Sequence, residues 1–393
     1  MIKKILLGFF ILLLLLVIGM AVKNPGAAVA AWQLLSNASH FQRDLPSDEV
    51  LLQLKAARGF TVELYAEGLD RPRMMQLTSV GDLIVSDIGS DSILLLTDSN
   101  NDGHIDSRKT LLAERHNPHG LVLHDGWLYF AEPDSISRVQ FDDVNLAVTG
   151  EIETLIDNLP YEGFHPLKTL AIADDQRLVF NVGSPCNNCL PDDERYSTMM
   201  RIELDGSNPT IVATGLRNSV GFDWAPWSGQ LFATENGRDM LGDNFPPDEL
   251  NLIDEGGFYG WPYYHGDNQP DPAMGQDRPD LLAITRPPAF QFRPHNAPLG
   301  LHFLHATDPL PAIYQRSAVV ALHGSWNRSS LDGYKVTSLH WAEDGNIHSR
   351  NFLSGFLVDQ TVLGRPVGVI QDSQGSVYIS DDLGGRIYRM RPK

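Results

Sequence analysis

From residue 59 to the C-terminus the chain repeats one loose unit, and this repeat restricts its possible folds more than any other feature of the sequence. The unit opens on a Gly- or Pro-marked start, passes through a short apolar strand and a turn, and closes on an alternating strand with polar residues last. It recurs at 71–87, 119–132, 167–183, 219–235, 299–324 and 366–382, ending in turn on DLIVSD, WLYFAE, RLVFNVG, QLFATE, AVVALHG and SVYISDD. Another strand follows at 92–97, 135–140, 199–204, 334–339 and 386–391. Spacings of roughly 45–55 residues, with one longer gap, suit four-stranded blades. Six instances predict an all-β, six-bladed β-propeller. The run FTVELYA at 60–66 precedes the first repeat and is placed to complete the last sheet beside 386–391, which closes the ring and protects its edges. One domain over 59–393 is therefore expected, although 393 residues would suit two or three average domains.

The remaining global features set the compartment and exclude one class of partner. A formal charge of −19 repels nucleic acid. Lys3 and Lys4 precede an apolar run of about 18 residues, against roughly 20 needed to cross a bilayer. Ala28, Val29 and Ala30 form a small-residue cleavage pattern. Residues 1–30 therefore read as a signal anchor or a signal peptide. The length favours the anchor, and either reading exports the folded part to the periplasm or another extracytoplasmic space. Residues 31–58 are polar and weakly helical, as expected of a linker from the membrane segment. The two cysteines form a C-x-x-C at Cys186 and Cys189, which in an oxidising compartment predicts a local disulfide. A thioredoxin-like pair would need a βαβ context, and a zinc site would need two further ligands.

The longest departure from the repeat spacing, residues 236–298, is rich in Pro, Gly, Asp and aromatic residues. Long loops in compact domains usually carry function, and this one is expected over a mouth of the central channel. It lies within a run of distinctive segments: GLRN at 215–218, ATENGRD at 233–239, PPDELNLI at 246–253 and GGFYGWP at 256–262. Together these resemble the soluble quinoprotein sugar dehydrogenases, most closely the sorbosone and pyranose dehydrogenase branch. The resemblance runs from about Gly59 to the C-terminus. It implies a six-bladed propeller that binds pyrroloquinoline quinone (PQQ) and calcium, oxidises an aldose or sorbosone-like sugar, and passes electrons to a respiratory acceptor.

Carried over residue by residue, the resemblance makes His165 the general base that takes the hydroxyl proton as hydride leaves the sugar carbon. Imidazole is a competent base near neutral pH. Arg217 and Asn218 match the cofactor-contacting pair, with Arg217 placed to stabilise a developing oxyanion. Arg365 aligns with a residue that holds a PQQ carboxylate. His295 and either Asn327 or Arg328 join the cofactor set. The backbone carbonyls of Gly237 and Arg238 are the implied calcium ligands, with Asp248 and Glu249 ordering the loop beneath. Arg238 stands where glucose-oxidising relatives have Pro.

A second cation candidate is independent of the family. Asp98, Asn100, Asp102 and Asp106 occupy loop positions 1, 3, 5 and 9, with Gly103 at 6, but Lys109 replaces the usual Glu at 12. A calcium-stapled turn and an ordinary Asp/Asn-rich loop are equally compatible with it. Trp224, Trp227, Trp261 and Trp341 read as packing anchors, while Trp261 and Trp326 are also candidates to stack on a sugar. His116 and His119, beside Asn117 and Pro118, either face the same mouth or belong to a solvated loop, and the solvated loop is the more ordinary reading. Two other functions suit a propeller: a calcium-dependent lactonase or esterase, and a non-catalytic binding module. No G-x-G-x-x-G segment points to a nicotinamide cofactor.

Overall fold

The computed structural model describes residues 40–306 and 310–393. The 1–30 signal or anchor segment lies outside the described residues, among which no helix is long and apolar enough to cross a membrane. The described residues form six four- or five-stranded sheets arranged as a propeller, antiparallel apart from the pairing of Thr210–Thr214 with Gly257–Phe258. From the inside outward, blade 1 contains Pro72–Leu77, Leu83–Asp87, Ser92–Thr97 and Ser107–Leu112. Blade 2 contains Leu121–His124, Trp127–Ala131, Ile136–Asp142 and Ala147–Ile156. The inner two strands of blades 3, 4 and 5 are Leu170–Ile172 with Arg177–Val182, Phe222–Trp224 with Leu231–Glu235, and Pro298–Phe303 with Ser317–Leu322. Blade 6 runs Pro366–Gln371, Val377–Asp381 and Arg386–Pro392, and Phe60–Ala66 completes it in antiparallel register, with Phe60 opposite Pro392. The two ends of the repeat region thus close the ring as expected.

Period-2 alternation explains why the second strands carry apolar residues on both faces ahead of their polar ends. Leu83 and Val85 pack towards blade 6 with Tyr65, Tyr378 and Ile387, whereas Ile84 between them packs towards blade 2 with Leu128 and Phe130. Leu178 and Phe180 face blade 2 while Val179 faces blade 4. Each sheet is sandwiched between two others, so both of its faces must be apolar. Trp227, Phe303 and Trp341 meet edge-on or tilted between blades 4 and 5, the packing role expected of those tryptophans.

Around the axis, glycines replace side chains. A Cβ on Gly221 would lie 2.0 Å from the Leu299 carbonyl, one on Gly300 would lie 2.5 Å from the Val367 carbonyl, and one on Gly368 would lie 2.4 Å from the Arg73 carbonyl. Blades 4, 5, 6 and 1 therefore pack backbone against backbone. This close approach brings the starts of their inner strands together around one space.

Residues 40–58 are more than a spacer. Helix Ser47–Gln53 carries Asp48 and Glu49 in its first turn, a favourable arrangement with the helix dipole, and buries Val50 completely. Lys55–Ala56 adds an edge strand to blade 5, and Arg386 donates from Nε to Ser47 Oγ at 2.7 Å.

Candidate active site

The inner strands begin at one end of the propeller axis, and their starts enclose a cavity of about 270 Å³. Arg73, His119, His165, Arg217, Asn218, Gly237, Asp239, Asp248, His295, His323, Trp326, Asn327 and Arg365 reach it from different blades and from the 236–298 loop.

His165 precedes the inner strand of blade 3. Its Nδ1 lies 2.8 Å from the Ser184 carbonyl and 3.0 Å from Ser184 Oγ. A carbonyl only accepts, so Nδ1 carries the proton and Nε2 holds the lone pair. Gly183 makes this placement possible, because a Cβ there would sit 2.5 Å from the His165 Cβ and 3.1 Å from Asn218 Oδ1. Burial, reinforced by the Arg217 charge, holds the imidazole down at about 3 and therefore neutral at physiological pH.

Arg217 is buried and fully engaged. Its Nε donates to the Asn187 carbonyl at 3.0 Å, Nη1 to the carbonyls of Asn236 (3.1 Å) and Gly237 (2.9 Å), and Nη2 to Asn187 Oδ1 (3.1 Å) and Asp239 Oδ2 (3.2 Å). Its Nη and Nε protons thus go to protein acceptors, and it acts on the cavity as a fixed positive charge. Beneath it, Glu235 accepts the Arg217 backbone N–H and the Ser219 hydroxyl. Burial, then the charge of Glu249, pushes Glu235 up to about 8.

Arg365 is held more loosely, through Nε to the His323 carbonyl at 3.3 Å and Nη2 to the Gly324 carbonyl at 3.4 Å. Beside it lies a group that sequence reasoning missed. Arg73 pairs with Asp382 at 2.6 Å, and His323 Nε2 meets the other Asp382 oxygen at 3.0 Å. Burial alone would raise Asp382, but His323 and Arg73 overcome it and keep the carboxyl well below its usual range.

Of the two readings of the 116–119 histidines, the mouth applies to His119, which is 1% exposed and lines the cavity, and the solvated loop to His116, which stays exposed. The reason is that Gly120 packs directly against the backbone of 168–170, drawing its neighbour inward. His119 Nδ1 lies 3.1 Å from the Lys168 carbonyl, so its Nε2 is again the lone-pair nitrogen. The signal for both was positional: each stands at the start of a blade's inner strand, His119 two residues ahead of Leu121–His124 and Arg73 as the second residue of Pro72–Leu77.

Of the 327/328 alternatives, Asn327 lines the cavity, whereas the Arg328 guanidinium turns to the Asp243 and Pro294 carbonyls and braces the loop. His295 faces the cavity from a left-handed backbone at φ 62° and reaches the Gly242 carbonyl through Nε2 at 2.9 Å. Trp326 lines the space, while Trp261 is buried beside it and points Nε1 towards the Asn187 carbonyl. Asp248 accepts the N–H groups of Gly237 and Ala297, both at 2.8 Å, and so ties the loop to blade 5.

The donor set suits a flat, multiply anionic ligand: Arg73, Arg217 and Arg365 all present positive charge, and the buried Arg73 Nε and His119 Nε2 make no hydrogen bond within the protein. The residues do not suit the calcium site implied at Gly237 and Arg238. The Gly237 carbonyl already accepts from Arg217, which would set a guanidinium against the ion; the Arg238 side chain, which is not an implied ligand, pairs with Asp271 at 2.5 Å. Among the described residues no cluster of three or more His, Cys, Asp or Glu side chains has metal-binding geometry. This applies to 98–106 as well. Asp106 accepts from Ser99 and Asn100, and Asp98 from the N–H groups of Asp102 and Gly103, so the acidic side chains cap their own turn. That loop lies at the seam of blades 1 and 6 beside Arg389, away from the axial cavity.

A family model described as TrAA12-like matches residues 54–263 and 282–393. A protein of Borreliella burgdorferi described only as uncharacterized is 32% identical over 362 residues, covering 88% of this chain and 93% of that one. A pyrroloquinoline quinone-dependent pyranose dehydrogenase of Coprinopsis cinerea is 25% identical over 405 residues. The match takes in 86% of this chain and 54% of the Coprinopsis protein, so the chain spans about half of its length. Among solved structures, the calcium structure of a Trichoderma reesei carbohydrate-active enzyme of family AA12 superposes with a TM-score of 0.76 at 22% identity, over 90% of this chain and 99% of that one. At that identity the likeness concerns the fold.

Proposed function

The chain belongs to the TrAA12-like family, and from that membership and the cationic axial cavity we propose that it is an exported quinoprotein dehydrogenase that oxidises a sugar, an aldose or a sorbosone-like compound, with PQQ as its cofactor. The observation that carries this reading is the convergence of His165, Arg217 and Arg365 with Arg73 and His119 on one cavity, from strand starts far apart in sequence. The Cys186–Cys189 bridge supports export, since such bridges persist in oxidising compartments.

PQQ, when bound, supplies an electrophilic quinone that accepts hydride from a sugar carbon. Arg365 and Arg73 would hold its carboxylates, each as a charge-assisted pair. Arg217 contributes positive charge from a fixed position, so no reorganisation is needed when negative charge develops. His165 Nε2 takes the hydroxyl proton, and Nδ1–H stays on the Ser184 carbonyl to keep the ring oriented. His165 is held low first by burial and then by the Arg217 charge. Negative charge brought into the cavity offsets the second of these causes and so acts to strengthen the base. Trp326 is placed to stack on the sugar. Electrons leave for a respiratory acceptor. The lactonase alternative calls for carboxylates converging on a central cation, and this cavity offers guanidinium and imidazole groups instead.

Titration of the purified protein with PQQ, followed by absorbance, tests the reading directly. Stoichiometric uptake and dye reduction with a member of a sugar panel are expected. Absence of uptake, or hydrolysis of a lactone panel without PQQ, would overturn it.

A further inference from the structure

The C-x-x-C loop does more than close on itself. Asn187, inside the Cys186–Cys189 bridge, accepts twice from the Arg217 guanidinium, through its carbonyl at 3.0 Å and its Oδ1 at 3.1 Å. The same Oδ1 accepts the Asp239 N–H at 2.7 Å, and Nδ2 donates back to the Asp239 carbonyl at 3.1 Å. On the other side of the loop, Ser184 Oγ donates to the Cys186 carbonyl at 2.8 Å, and the Ser184 carbonyl holds His165 Nδ1. The Asn188 amide reaches Asp271, which also pairs with Arg238. One four-residue loop therefore fixes the candidate base, the buried arginine and the loop that covers them. A loop of this length cannot hold a guanidinium in register by hydrophobic packing, because it has almost no core of its own; the covalent bridge supplies the rigidity.

We propose that Asn187 is a positioning residue for Arg217, and that the Cys186–Cys189 bridge makes the affinity of the cavity for its anionic cofactor depend on redox state. The inference rests on the reading of the cavity given above. Opening the bridge takes two electrons and two protons from a dithiol, which itself closes to a disulfide, and leaves a thiol on each cysteine. Both cysteines are half-buried and sit at the rim rather than in a blade core, so a small dithiol can reach them. With the bridge open, Asn187 loses its fixed orientation and Arg217 retains only Asn236, Gly237 and Asp239. The guanidinium is then held from the 236–239 side alone and loses its fixed direction towards the cavity.

Serine replacements avoid the direct reduction of PQQ by thiols. The experiment compares wild type, C186S/C189S, Asn187→Ala and Asn187→Asp by two readouts: PQQ titration by absorbance, and NMR titration of His165 in PQQ-free protein. Circular dichroism checks the fold. We expect the PQQ Kd to rise about tenfold or more in C186S/C189S and Asn187→Ala, the loss of one charge-assisted hydrogen bond. Asn187→Asp, which keeps an acceptor for Arg217, recovers to within about threefold of wild type. In the first two variants His165 titrates higher, because Arg217 no longer faces it. Folded variants with unchanged His165 titration and unchanged PQQ affinity would overturn the proposal. If wild type takes up no PQQ, the cofactor reading falls, and the His165 titration alone decides the positioning role. If C186S/C189S does not fold, the two Asn187 variants decide the positioning role, and the His165 titration of PQQ-free wild type with and without a dithiol decides the redox part: no difference between the two would overturn it.

Discussion

The two ends of the inner strands make an instructive pair. At their starts lies the cavity of about 270 Å³ with Arg73, His119, His165, Arg217 and Arg365. At their far ends lies a larger one, about 470 Å³, lined by Met75, Leu121, Leu123, Ala171, Ile172, Leu301 and Ile370. Met74, Val220, Leu299 and Val367 form an apolar cluster on these strands, with Val220 and Leu299 lining the first cavity and Met74 the second. The same strands thus serve both cavities, and size ranks them in the wrong order for chemistry. What separates them is the number of charged groups held without room for solvent. The far end has its own half-buried imidazole: His302 lies 3.4 Å from Asp223 and is held down to about 3 by burial and by His305. Among the described residues that line this cavity there is no arginine or lysine.

The largest expected difference sets the two imidazoles against each other. His165→Ala should lower kcat by about 10²–10⁴ while sparing PQQ uptake, whereas His302→Ala should leave turnover within about twofold. Steady-state dye reduction measures both, and equal losses would break the contrast. Next, Arg365→Met removes a half-buried charge facing the cavity and should weaken PQQ binding by about thirtyfold or more. Gln371→Met, on the same inner strand near the far end, should not change it. Between the two ends, Gly300→Ala forces a Cβ against the Val367 carbonyl and should cost about 1–3 kcal/mol in urea unfolding.

The smallest effects concern pH. His119 and His165, like His302, are depressed from 6.5 to about 3. Below pH 6.5 the unfolded chain takes up protons that these folded groups refuse, so stability is lost as pH falls towards 3. His302→Gln should flatten that acid slope without touching activity. Glu235, raised from 4.5 to about 8, works in the opposite sense: stability falls as pH rises from 4.5 to 8, and Glu235→Gln should remove that contribution. Thermal melts between pH 4 and 9 read both.

Much of this was legible in the chain. The polar residues that end each repeat strand and the closing role of 60–66 follow from a period of two within strands and of one blade along the chain, whereas the roles of His165, Arg217 and Arg365 follow from the family resemblance. Arg73 was overlooked because it sits in no distinctive motif, and for His119 the sequence left the mouth and a solvated loop both open. The choice between Asn327 and Arg328 was not legible at all, since adjacent residues in an irregular loop have no fixed alternation. Nor was the occupation of the Gly237 carbonyl by Arg217, which brings together residues from separate loops.

The sequence by itself determined that six similar sheets must share apolar faces and close through the N-terminal strand, because alternation and spacing are local properties that survive any rearrangement of loops. Only the tertiary structure decided which side chains share the axial cavity, and that a disulfide loop holds two of them. Those outcomes depend on how closely backbones approach around the axis, and that distance is set by glycines whose neighbours come from other blades.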